Sequence, residues 1–163
     1  VGLFNGPDKP YKREQVLENI NQLIRRARQA GAPIFAVRHT GPAESPIAAG
    51  SPFWQLLPTL EVDEELDCVL DKTRPSCFIG TGLAERLQEA QVNELVIAGM
   101  KTQYCVDTTC RAAGDLGFAA VLVEDAHTCM DTPLIGARTI IAHHNATLNG
   151  PFVRLATTAD VTF

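Results

Sequence analysis

Two residues able to do chemistry end apolar runs. Cys105 follows ELVIAG, residues 94–99, across the short turn MKTQY, and Lys72 closes CVLDK, residues 68–72. A thiol at a strand–turn–helix junction lies near unpaired backbone N–H groups and the positive end of the helix dipole. Both favour the thiolate. The same N–H groups could hold the oxyanion that forms when a carbonyl is attacked. A lysine at the same edge of the sheet adds a positive charge, which also favours the thiolate. Each residue has a plainer reading: a lone cysteine is usually a small buried apolar side chain, and a lysine is usually solvated. Cys110 lies five residues beyond Cys105, roughly 140° further round a helix at about 100° per residue. It is predicted to pack against the sheet rather than form a metal or redox pair with Cys105.

These residues need elements to carry them. Val16, Ile20, Leu23, Ile24 and Ala27 recur at helical spacing within residues 12–30, and Gly31 supplies a stop. PIFAVR, 33–38, reads as a short buried strand, and CVLDK as the next. TGLAERLQEAQ, 81–91, is amphipathic through Leu83, Leu87 and Ala90. ELVIAG has the continuous apolar character of a strand covered on both faces. CVDTTCRAAGDLG reads as helix and AAVLVED, 119–125, as a buried strand. Residues 131–147 read as helix, and FVRLATTADVTF closes the chain with one or two short β-prone runs. Strands alternating with helices predict an α/β fold: a three-layer αβα sandwich around a mainly parallel, Rossmann-like sheet. In such sheets sites collect at the C-terminal strand ends. Lys72, the turn before Cys105 and the Gly/Pro/Ser-rich segment 39–58 all fall there.

The totals narrow the classes. The chain has 163 residues, 45% of them hydrophobic, which suits a single domain over 1–163. A net charge of −5 without a basic block argues against nucleic acid, and no run is long and apolar enough for a membrane span. Five cysteines without a CxxC pair argue against a disulfide framework and for a reducing cytoplasm. The four histidines, His39, His127, His143 and His144, form no recognisable zinc pattern. His127, just past a strand end, is a rival candidate for the base in a Cys–His arrangement. His144 and Asn145 are expected to make structural hydrogen bonds or subunit contacts. The opening VGLFNGPDKP reads as a strand-to-helix loop without its strand, so a leading segment is expected before Val1.

VGLFNG, GSPFWQLLPTL, KTRPSCFIGTGL, GMKTQYCVDTTCRAAGDLGF, VLVEDAHTC and AHHNATL together resemble the isochorismatase-like cysteine hydrolases, relatives of nicotinamidase and N-carbamoylsarcosine amidohydrolase. They run in the family's order along nearly the whole chain. The resemblance implies a Cys–Asp–Lys triad with Cys105 as nucleophile and Lys72 as the lysine. The family's aspartate would lie about three residues upstream of Val1, on a first strand missing from this chain. Asp8 is too far along the loop to replace it. The resemblance also implies a cis peptide between Met100 and Lys101, with the Lys101 and Cys105 backbone N–H groups as oxyanion donors. Phe4, Trp54 and Tyr104 are candidates for the pocket wall. The nicotinamidase metal loop reduces here to His39 alone, so no metal or other cofactor is implied; His39 either lines the pocket or bonds the loop. The expected activity is hydrolysis of a small amide-type substrate through a thioester. The alternatives are a catalytically impaired binding or assembly module and a vinyl-ether hydrolase of the isochorismate type. A homodimer or larger homo-oligomer is expected.

Overall fold

A computed structural model describes residues 1–163. The elements run α1 (Gly2–Asn5), α2 (Arg13–Ala30), β1 (Phe35–His39), β2 (Cys68–Lys72), α3 (Leu83–Glu89), β3 (Glu94–Met100), a π-helical turn (Thr102–Val106), α4 (Asp107–Asp115), β4 (Ala119–Thr128), α5 (Ala137–Leu148) and β5 (Arg154–Ala156). α2 forms where the apolar stripe predicts it. It ends because Gly31, at φ 72°, returns its N–H to the carbonyls of Ala27 and Arg28. Leu23 packs with Val121 and Val123 on one face of β4, while Ala120 and Leu122 face Leu83, Leu87, Val106 and Cys110 on the other. This alternation along β4 puts α2 on one side and α3 and α4 on the other, the three layers predicted. Each large apolar side chain fully buried in them contributes about 1.5–3 kcal/mol.

All pairings are parallel, but the strands form two sheets rather than one, β1–β2 and β3–β4–β5. No strand within residues 1–163 lies between β1 and β3, so each has an unpaired edge. The two sheets still share a core: Phe35 and Val37 from β1 and Leu95 and Ile97 from β3 pack on the same cluster as Phe118 and Leu122. β1 and β3 are only half-buried, unlike the central β4.

Three local expectations are corrected. The opening segment is not wholly loop, because α1 forms and docks on residues 53–55: Gly2 N–H donates to the Phe53 carbonyl and the Val1 ammonium to that of Gln55. The helix expected over 131–147 begins only at Ala137. Asp131 reaches forward to accept the Ala137 N–H at 2.7 Å, which leaves 132–136 as a loop folded around the Thr132 hydroxyl. Cys105 lies in the π-helical turn, two residues ahead of α4, and not on the first turn of an α-helix. The final run holds one strand, β5.

Candidate active site

Lys72 is not the solvated surface lysine of its plainer reading. Only 4% of it is exposed, and it has no carboxylate partner. Its ammonium donates to the carbonyls of Arg74 and Pro75, at 3.0 and 2.7 Å, because the segment after β2 folds back over the strand end. Two of three N–H bonds are thus used. A cation buried against carbonyls alone is costly, and an anion beside it would offset that cost. His39 is its register partner on β1. Burial, then the Lys72 charge, hold the His39 imidazole below its ordinary value, and His39 Nδ1 is buried without a partner.

The Cys105 turn is built at the end of β3. Gly99 has φ 125°, a conformation open to glycine and strained for other residues. The Met100–Lys101 peptide is cis. The Lys101 carbonyl accepts the N–H groups of Tyr104 and Val106, closing the turn, while the Lys101 N–H meets no backbone acceptor. Cys105 is half-buried, and Cys110 is fully buried in the core with its thiol pushed up to about 12 by burial. Cys77 links the two halves of the site. Its N–H donates to Thr109 Oγ1 on α4, and its thiol is raised by burial, against the lowering effect of Thr109 and of the Lys72 charge.

The aromatic candidates separate. Trp54 donates its indole N–H to Thr40 Oγ1 at 2.8 Å, directly after His39, and the Arg38 guanidinium stacks 3.3 Å from its ring centroid. Arg38 is in turn paired with Asp71 across β1–β2. Phe4 belongs to α1, docked on the Trp54 loop, with Arg13 over its ring. Tyr104 is 53% exposed and faces a different cleft, formed with Gln103, Ile135, Ile140, His143 and His144. Trp54 and His39 therefore flank the Lys72 end of the molecule, while Tyr104 lies on the α5 side. Sequence reasoning missed Arg38 and Thr40, whose roles depend on a loop folding back over β1.

His127 is no free base. It is 1% exposed, and both ring nitrogens are engaged, Nδ1 with Thr102 and Nε2 with Asn145. His144 pairs with Asp107, which also holds Arg111 one turn on. Burial pushes the Asp107 carboxyl up, but its bonds to Arg111 and His144 outweigh this and bring it below its ordinary value. No three His, Cys, Asp or Glu side chains converge as a metal ligand set.

The isochorismatase domain model matches residues 1–159. The chain is 35% identical over 156 residues to the uncharacterized isochorismatase family protein YddQ of Bacillus subtilis, covering 89% of this chain and 83% of the relative. It is 33% identical over 133 residues to a streptothricin hydrolase of Streptomyces noursei, covering 82% of this chain but 48% of that protein. The crystal structure of an isochorismatase-family hydrolase from Chromobacterium violaceum superposes with TM-score 0.89 at 30% identity, over 97% of this chain and 85% of that one. A match over nearly the full length, in sequence and in backbone, establishes that the chain belongs to the isochorismatase family of hydrolases.

Proposed function

We propose that the protein is a cysteine-dependent hydrolase that cleaves the C–N bond of a small amide-type substrate. The observation that carries this reading is the buried Lys72, without a carboxylate partner, at the C-terminal end of β2, together with the Cys105 turn at the C-terminal end of β3. Cys105 loses its proton to a carboxylate, and the cation of Lys72 favours the anionic states. The sulfur attacks the carbonyl carbon, forming an S–C bond and an oxyanion. The oxyanion is received by the backbone N–H groups of Lys101, which meets no backbone acceptor, and Cys105. The C–N bond breaks, the nitrogen takes the proton and leaves, and water cleaves the thioester to return the free thiol. Trp54, Phe4 and His39 wall the substrate on the Lys72 side, and Tyr104 bounds the turn from the α5 side. The protein works in the cytoplasm as a homo-oligomer.

The test is ammonia release across a panel of primary amides, carbamoyl and ureido compounds, with protein expressed from the full gene. Cys105→Ala should abolish turnover of whichever compound is cleaved while shifting the melting temperature by no more than a few degrees, since Cys105 is half-buried and outside the core clusters. Wild-type turnover by Cys105→Ala would exclude the thioester route.

A further inference from the structure

From Ile97–Leu122 to Gly99–His127, β4 runs three residues further than β3, a bulge that brings His127 in behind the Cys105 turn. His127 Nδ1 lies 2.9 Å from Thr102 Oγ1, and Nε2 lies 2.8 Å from Asn145 Oδ1. β4, the turn and α5 thus meet at one imidazole. The bonding selects a tautomer. Asn145 Nδ2 donates to the Glu124 carbonyl, so its Oδ1 faces the ring as an acceptor and Nε2 carries the proton. Nδ1 is left with its lone pair, and the Thr102 hydroxyl donates to it. Thr102 is fully buried and directly follows Lys101, whose carbonyl closes the turn.

We propose that neutral His127 is a positioning residue for the nucleophile turn: by accepting the Thr102 hydroxyl, it fixes the backbone that presents Cys105 and the Lys101 N–H, and its protonation loosens that backbone. The consequence for turnover rests on the cysteine-hydrolase reading; the consequence for the turn does not. A proton on Nδ1 converts the acceptor into a donor and takes away the acceptor of a buried hydroxyl. The charged and titratable groups around the ring are few. Asp125, in the β4 bulge, favours protonation, and His144 on α5 opposes it. Cys129, the residue after β4, is raised by burial, lies against Thr102 and feels Asp131 and Lys101. Burial dominates and holds the imidazole below its ordinary 6.5.

The experiment follows His127 by ring 15N–1H NMR as pH falls, together with the backbone amide shifts of residues 101–106. In parallel, iodoacetamide alkylation is mapped to each cysteine by mass spectrometry. In the wild type, the 101–106 amides should shift at the His127 midpoint, and Cys105 alkylation, corrected for its own ionisation, should fall several-fold there. Asn145→Asp places a carboxylate on Nε2–H and should move both events to higher pH together. Thr102→Val should remove the linked step and slow Cys105 alkylation at neutral pH, while Thr102→Ser restores both. Amides and Cys105 rates that ignore the His127 titration, or a Thr102→Val protein indistinguishable from wild type, would overturn the proposal. If the amides follow His127 but Cys105 is the least reactive thiol, the positioning role stands and the hydrolase reading falls. A reactive Cys105 with unlinked amides sinks only the positioning role.

Discussion

Lys72 was ambiguous as a letter in the sequence, because VLDK fits a strand ending in solvent as well as one ending in a site. Its fate depends on residues 73–76 folding back to offer carbonyls, which no periodicity reports. Replacement by methionine keeps the stem but leaves the Arg74 and Pro75 carbonyls without their donor. Lys72→Met should therefore destabilise the fold by about 1–3 kcal/mol, read by denaturant titration, and lower kcat/KM by at least about a hundredfold, or about 2.7 kcal/mol of transition-state stabilisation. A kcat/KM near that of the wild type would detach Lys72 from the chemistry. Cys105 was legible as a candidate from its place after an apolar strand. The network behind it was not, since His127 bonds partners 25 and 18 residues away. The two hydrogen bonds also turn a candidate base into a fixed support.

At the level of elements, α2 and β2 were readable because their patterns are local: a 3.6-residue stripe closed by Gly31, and a short apolar run. The start of α5 was not, because its cap comes from Asp131, six residues upstream, across a Pro- and Gly-containing loop. The split into two sheets was equally hidden, as strand order is a tertiary property. β3 joins the turn through Gly99, at φ 125°. A Cβ on Gly99 would meet no atom within 4 Å, so any cost of adding one is conformational. Gly99→Ala should lower stability by roughly 1–3 kcal/mol and slow Cys105 alkylation, because the strain is relieved by moving the turn. An unchanged melting temperature would show that the junction tolerates φ 125° in alanine.

For the molecule as a whole, pH should narrow the stable range from both sides. Burial holds His127 below its ordinary value, so the unfolded chain binds a proton that the folded one refuses. Stability from this group is full above about pH 6.5 and declines as pH falls below it. Burial pushes Cys110 up to about 12, with Cys77 and Cys129 also raised. Above the ordinary thiol value of 9.0 the unfolded chain sheds protons first, so stability declines as pH rises from there towards about 12. Melting temperatures recorded from pH 5 to 11 should pass through a plateau near neutrality; a steady rise through pH 10 would contradict the buried-thiol assignment. No helix is long and apolar enough to cross a membrane. The chain contains one tryptophan. Trp54 lies beneath a guanidinium and is tied by its indole N–H to the residue after His39. Its fluorescence is therefore a built-in optical gauge of the loop over the candidate pocket. A ligand that orders the loop should change emission intensity and wavelength in the wild type, while Arg38→Ala should already alter the resting spectrum and blunt that response. The same signal allows binding to be timed by stopped flow with unlabelled protein and a non-absorbing substrate.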